Sequence, residues 1–325
     1  MTSPLLSIRN LNVAYPTRGG TARILTGVDL AIDPGASVGL VGESGSGKST
    51  LALALLGLLP DNADIRAESA VFDGSPEALS PENSRRLRGG DIAMVFQDPM
   101  TALNPLFTIG THLVDIQRRK FPKARRAALW ARGERMLARV GVSDAGQRMR
   151  RYPHEFSGGM RQRVVIAMAL LVEPKLLIAD EPTTALDATI EAQVVDILHD
   201  LRSEFSAALL VVSHSFGLIA ELCDTVIVMY AGTIVETGSV ADVLRNPRHP
   251  YAKALLACEI EPLSAIESTE PLVTIPGTVP DPANRPDGCV FAERCPSRHD
   301  RCVVPPPFVS QGAGRGFSCW LGVSP

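Results

Sequence analysis

The sequence predicts an α/β fold, and three stretches carry that expectation. An apolar, strand-like run, Ala36 to Val41, enters Gly42-Glu43-Ser44-Gly45-Ser46-Gly47-Lys48-Ser49-Thr50, and a helix-like run, Leu51 to Leu58, leaves it. Leu176-Leu177-Ile178-Ala179-Asp180-Glu181 reads as an apolar strand ending in two acids. Ala207 to Val212 reads as another buried strand, ending in Ser213-His214. Short apolar runs bounded by turn and polar signals are the mark of buried strands.

The first of these stretches fits G-x-x-x-x-G-K-[ST], and its strand–loop–helix setting is the one the motif requires. Its glycines let the backbone curl so that N–H groups point inward at phosphate oxygens, and the positive end of the following helix adds to the field. Lys48 is placed to reach the outer phosphates and Ser49 to ligate Mg²⁺. In nucleotide hydrolases the acid ending a strand such as Leu176–Asp180 holds Mg²⁺, and Glu181 is placed next to it to polarise a water.

Composition narrows the class. The chain has 325 residues, long enough for a substantial core and for about two domains. Hydrophobic residues make up 45% and charged residues 21%, as in ordinary globular proteins. The net charge of −3 gives no global reason to expect nucleic acid. The longest apolar runs, Leu51–Leu59 and Val164–Val172, fall short of the ~20 residues that span a bilayer. The N-terminus, Met1-Thr2-Ser3-Pro4, lacks a basic region followed by an apolar one, so a cytosolic location is expected. Six cysteines are present, four of them in the last 37 residues; in a reducing cytosol such clustering points to metal before disulfide.

Taken in order, residues 5–13 alternate as a strand and Val28–Ile32 as a second, with a turn-rich stretch from Pro16 to Gly20 between them. Tyr15, just before that stretch, could stack on an adenine or pack on its own sheet. Residues 61–90 are polar and irregular and read as surface. Asp91–Phe96 is a short buried strand leading to Gln97-Asp98-Pro99, where Gln97 could touch a metal or a nucleophilic water. Residues 110–150 read as helical and basic, and without interleaved aromatics they fit a solvated face better than a nucleic-acid patch.

Ser157 in Phe156-Ser157-Gly158-Gly159-Met160-Arg161-Gln162 is a good N-cap for the apolar helix Val164–Val172, and the two glycines bare a second anion-ready helix end. Ala185-Leu186-Asp187 opens a helix carrying Ile190, Val194, Val195 and Ile197. Val226–Tyr230, Gly232 and Ile234–Gly238 read as a hairpin. After about residue 240 the composition shifts. One short helix, Tyr251–Ala257, precedes a segment, 271–325, that holds 10 of the 25 prolines and cannot easily build a core alone. Cys289, Cys295, Cys302 and Cys319 could staple it, while Cys223 and Cys258 read as buried, inert thiols.

Taken together, these motifs resemble, in family order over about residues 5–240, the ATP-binding cassette (ABC) transporter ATPases. The resemblance implies a RecA-like P-loop core with an antiparallel β arm and a helical subdomain, working as a head-to-tail dimer. It assigns ATP to Tyr15, Ser44, Gly45, Ser46, Gly47, Lys48, Ser49, Thr50 and Gln97. It makes Glu181 the catalytic glutamate, His214 the switch histidine and Gln97 the Q-loop residue, with Mg²⁺ held by Ser49, Gln97 and Asp180. The signature residues Ser157, Gly158, Gly159 and Gln162, with Asp187 of the D-loop, would face the ATP of the opposite subunit. Phe156 stands where the family has Leu, Gln162 follows Met160 and Arg161, and Ser215 stands where many members carry an acid.

A narrower resemblance covers more of the chain. Tyr152 to Arg163, Val95 to Pro105, Asn246-Pro247-Arg248-His249-Pro250-Tyr251, Pro276-Gly277-Thr278-Val279-Pro280, Gly288-Cys289 and Arg294-Cys295-Pro296 look like the oligopeptide/dipeptide importer ATPases. That likeness implies a cassette at 1–240, with its helical subdomain at about 100–165, and a C-terminal extension at 241–325. It implies a [4Fe–4S] cluster on Cys289, Cys295, Cys302 and Cys319, with Zn²⁺ as the alternative that soft thiolates also suit. It further implies a second cassette subunit, two transmembrane permease subunits and an extracytoplasmic solute-binding protein, with the chain peripheral on the cytoplasmic face of the membrane. Di- and oligopeptides are the expected cargo. Nickel-chelates, glutathione or oligosaccharides remain open to the same motor, and a soluble non-transport cassette is a further alternative.

Overall fold

The computed structural model describes residues 3–183, 188–205, 207–259, 274–312 and 314–323, and only the backbone of 100, 188–189 and 200–205. The chain divides into two compact units, one of Met1–Ile32, Ser37–Ala78 and Val212–Pro325, the other of Asp33–Ala36 and Leu79–Val211.

In the first unit, two long strands, Leu6–Thr17 and Gly20–Ile32, form an antiparallel hairpin in register from Leu6↔Ile32 to Thr17↔Gly20. The stretch expected to be turn-rich is therefore mostly strand, with the reversal confined to two residues. Asp64–Arg66 and Ser69–Phe72 pair with Leu6–Thr17, and Ser75–Pro76 pairs with Ser69–Phe72. These short strands, with the helix Pro81–Leu87 of the second unit, occupy the region expected to be irregular surface. The alternation there is only four residues long, with Ala70 and Phe72 buried, and pairing with an existing hairpin is what makes it a strand.

The same unit contains the strand Ser37–Val41, buried at every position, and Thr225–Tyr230 runs parallel beside it. A strand buried on both faces reads as a continuous apolar run. Thr233–Ser239 turns back antiparallel to Thr225–Tyr230. The proline-rich tail adds Arg315–Ser318 to Thr233–Ser239 through Glu236↔Phe317 and Thr237↔Gly316, and Phe308–Gly312 to that strand in turn. The tail thus borrows a sheet edge rather than building a core of its own, and buries Phe291 and Phe317. Helix Pro250–Cys258 is capped by His249, whose ring accepts the Tyr251 N–H.

In the second unit, Ile92–Val95 and Leu176–Asp180 are parallel neighbours, in register from Ile92↔Leu176 to Val95↔Ala179. The basic stretch forms three helices, Ile109–Lys120, Arg126–Arg139 and Ala145–Arg148. Several of its cations are spent inside the unit. Arg119 donates to the carbonyls of Arg85 and Arg86 at the end of helix Pro81–Leu87; Lys120 donates to the Glu173 carbonyl, and Arg132 pairs with the Glu173 carboxylate. Helix Gly158–Leu171 begins at Ser157, whose hydroxyl accepts the Met160 N–H. No helix among the described residues is long and apolar enough to cross a membrane.

Candidate functional site

The phosphate loop links the buried strand Ser37–Val41 to the helix Lys48–Leu55. Gly47, at the cap position, has φ 101°, and an added Cβ would lie 2.8 Å from Leu25 Cδ2. No side chain caps this helix and no acid sits in its first turn. Its first N–H groups and positive dipole end therefore face the loop's interior, as anion binding requires. Lys48 is buried, and its Nζ donates to the carbonyls of Gly42 (2.7 Å) and Glu43 (3.0 Å). The ammonium is thus held inside the curl of the loop. Ser44, Gly45 and Ser49 are exposed, Thr50 is half-buried and Ser46 is buried.

Also in this unit, Tyr15 sits opposite Ala22 on the hairpin, half-buried, and burial raises its phenol pKa, keeping the ring neutral. His214 is exposed at the end of strand Ala208–Ser213. Ser215, in the place of the family's acid, caps the next helix by accepting the N–H groups of Gly217 and Leu218.

The second unit brings Gln97 and Glu181 together. Strands Ile92–Val95 and Leu176–Asp180 end side by side, and Gln97 Nε2 donates to Glu181 Oε2 at 2.9 Å. Asp180 is buried at the strand's last position. Glu181 takes φ 45°, the left-handed region that side chains with a Cβ seldom adopt. Strained backbone of this kind clusters at functional sites.

Within the signature, Ser157 and Gly158 are exposed, and a Cβ at Gly158 would meet open space. A Cβ at Gly159 would come within 2.7 Å of Ile190. Gln162 is buried, and its amide donates to the Pro182 carbonyl at 2.7 Å, just beyond Glu181. Asp187, with Ala185 and Leu186, lies outside the described residues.

The tail cysteines depart from expectation. All four are free thiols, and among the described residues no three His, Cys, Asp or Glu side chains are grouped to hold a metal ion. Neither the expected [4Fe–4S] cluster nor Zn²⁺ on Cys289, Cys295, Cys302 and Cys319 is shown by this arrangement. The four cysteines are nonetheless neighbours: the Cys289 N–H donates to the Cys302 carbonyl at 2.9 Å. Burial pushes the Cys289 thiol up to about 11, with the other three adding to the rise. Cys258 is half-buried rather than buried, whereas Cys223 is buried as expected.

Arg294 and Glu43 meet without any mark in the sequence that pairs them. Arg294 grips Glu43 through two hydrogen bonds of 2.7 and 3.0 Å, across a separation of 251 residues. The only signal was the Arg-Cys-Pro triplet at 294–296, to which no role attached.

Comparison with known proteins decides the family. Residues 25–184 match the ABC transporter family, and residues 235–302 match the oligopeptide/dipeptide transporter C-terminal region. A peptide import ATP-binding protein of Brucella melitensis is 46% identical over 97% of this chain and 96% of its own. The chain belongs to the ABC transporter ATPases. The cassette is also 43% identical to the oligopeptide transport ATP-binding protein OppD of Haemophilus influenzae, over 98% of both chains. Among solved structures, it resembles a dimeric post-hydrolysis state of an ATP-binding cassette bound to ADP and Pi. That match has a TM-score of 0.64 and 25% identity, covering 72% of this chain and 98% of the other. It also resembles cbiO1 of Clostridium perfringens, part of an ABC transporter complex, with a TM-score of 0.62 and 26% identity, covering 75% and 92%. The α/β class expected from the sequence is thus the ABC cassette fold.

Proposed function

We propose that the cassette is the ATPase subunit of an importer of di- and oligopeptides, acting at the cytoplasmic face of the membrane. Supporting the cargo are the oligopeptide/dipeptide C-terminal match and relatives named for peptide import along nearly their whole length. The observation that carries the hydrolysis is Glu181, in a left-handed backbone with the Gln97 amide on its carboxylate. A carboxylate so oriented is a general base for a water attacking the γ-phosphate, while Lys48 and the loop N–H groups take up the charge of the phosphates. His214 contributes a further donor to the γ-phosphate. Ser49, Gln97 and Asp180 offer the hard oxygen donors that Mg²⁺ takes, and Mg²⁺ would neutralise charge on the β- and γ-phosphates.

Residues 1–240 make up the motor and 241–325 an extension characteristic of peptide importers. Ser157, Gly158, Gly159 and Asp187 serve the ATP of a second cassette, from this or a related chain; the open space at Gly158 favours that reading, whereas Gln162, expected to join them, is buried on the Pro182 carbonyl and is left out of that contact. Leu106 and Phe107, 79% and 51% exposed, are an uncovered apolar pair suited to a permease subunit. An extracytoplasmic binding protein would deliver the cargo. Glu181→Gln should bind ATP as the parent does and lose about 10²–10⁴-fold in ATP hydrolysis. Steady-state phosphate release decides this, and turnover near the parent's would rule out Glu181 as the base.

For the tail, we infer a [4Fe–4S] cluster rather than a single Zn²⁺. Supporting that reading are four mutually neighbouring free thiols, the soft ligands that iron–sulfur clusters take. Equimolar zinc without acid-labile sulfide in anaerobically purified protein would refute this.

A further inference from the structure

A short turn in the cysteine-bearing tail reaches the phosphate loop. Ala292–Arg294 form one 3₁₀ turn between Cys289 and Cys295. Residues three apart on such a turn share a face, so Phe291 and Arg294 point the same way. Phe291 is buried among Tyr230 and Tyr251, with ring centroids 5.1 and 5.4 Å away. Arg294, its side chain 5% exposed, lies beside them.

Every N–H of this guanidinium has an acceptor. Nε donates to the Pro276 carbonyl (2.7 Å). One terminal nitrogen donates to Glu43 Oε2 (2.7 Å) and Tyr230 Oη (3.1 Å), and the other to Glu43 Oε1 (3.0 Å) and the Ile275 carbonyl (3.2 Å). These contacts use all five donors that an arginine has, so none is left over for a nucleotide. Glu43 is the second residue of the phosphate loop and is held at each of its other polar groups. Its N–H donates to Tyr251 Oη (2.8 Å), and its carbonyl accepts from Lys48 Nζ (3.0 Å) and the Ser46 N–H (3.1 Å). A shift of Glu43 therefore moves the carbonyl that seats the lysine and the N–H groups that line the loop.

The geometry points to Arg294 as a positioning residue for ATP binding: its two-pronged grip on Glu43 fixes the entrance of the phosphate loop and makes the cysteine-bearing tail a structural part of the nucleotide site. With the guanidinium buried and the carboxylate half-buried, this pair is costly to break at the Glu43 side, because the buried charge of Arg294 is then stranded. The fork is also specific to arginine, since lysine is a point charge with three donors and cannot reproduce it. Glu43 holds Arg294 firmly protonated, so the grip persists across physiological pH.

This inference rests on the phosphate loop being the ATP site, and the test separates the two. Binding of a fluorescent ATP analogue and steady-state ATP hydrolysis are measured on the full-length chain. Failure of the parent to bind, or binding undiminished in Lys48→Ala, would sink the ATP-site reading. With that control sound, Arg294→Gln is expected to raise the dissociation constant and KM for ATP about tenfold, with kcat within twofold of the parent. Glu43→Gln should do the same, and the double variant should be no more than about twofold worse than either single one. Arg294→Lys should recover only part of the affinity. Should Arg294→Gln not fold, Glu43→Gln and Arg294→Lys carry the comparison. ATP affinity within twofold of the parent in the folded variants, multiplying losses in the double variant, or a fall in kcat at unchanged KM would each overturn the assignment.

Discussion

Gln162 is fixed by a structural contact rather than left to face a nucleotide. It belongs to the signature by sequence, yet its side chain is buried and its amide is committed to the Pro182 carbonyl. That bond ties the second turn of helix Gly158–Leu171 to the segment immediately following Glu181. Losing it strands a buried carbonyl, which costs about 1–3 kcal/mol. Gln162→Ala should therefore lower the urea-unfolding free energy by that amount. A change under about 0.5 kcal/mol would show that the bond contributes nothing to stability. The neighbouring Ser157 is different: its hydroxyl completes the helix cap while the residue stays exposed, which leaves this helix end open to a partner.

At the scale of the element, the turn between Thr225–Tyr230 and Thr233–Ser239 does more than reverse the chain. Ala231 and Gly232 take φ 44° and 75°, and the Gly232 N–H donates to the Ser46 carbonyl of the phosphate loop at 2.8 Å. Its own carbonyl accepts the Thr26 N–H at 2.9 Å. A Cβ at Gly232 would lie 2.0 Å from the Ile24 carbonyl oxygen, whereas one at Gly74, also in a positive-φ turn, would meet nothing. Gly74→Ala should cost about 1 kcal/mol, the backbone penalty alone. Gly232→Ala should cost ~3 kcal/mol or more, because backbone must move as well. Thermal unfolding of the two variants checks this, and equal losses would refute the close approach. The hairpin itself is plain in the sequence, as apolar runs around Gly232, but its contact with the loop is not.

For the molecule as a whole, pH exposes a buried group outside the site. Burial pushes the His249 imidazole down to about 3 from its ordinary 6.5. Below pH 6.5 the unfolded chain takes up a proton that the folded protein refuses. The stability linked to His249 is therefore complete above pH 6.5 and falls by about 1.4 kcal/mol per pH unit as the pH drops toward 3. Glu236, which accepts the N–H groups of Arg248 and His249, works in the opposite sense: burial raises its pKa, and acid relieves the cost of its charge. His249→Asn keeps an acceptor for the Tyr251 N–H and removes the titration. Its unfolding free energy should lose about 1.4 kcal/mol less per pH unit between pH 6 and 4 than the parent's. An unchanged slope would mean that His249 is protonated in the folded state.

The chain's order of residues was enough to mark the phosphate loop, the acid-tipped strand with Asp180 and Glu181, the Ser157 cap and the hairpin around Gly232. Each is local: a spacing, a cap or an alternation that shapes the backbone within about ten residues. Other features depend on residues far apart in sequence. The short strands between 64 and 76 exist because a longer hairpin offers them partners, and the tail folds because Thr233–Ser239 offers it an edge. Gln97 on Glu181, Gln162 on Pro182 and Arg294 on Glu43 are meetings across 84, 20 and 251 residues. Such contacts leave no periodic trace, because nothing in a local stretch records which distant polar group will satisfy it once both are withdrawn from water.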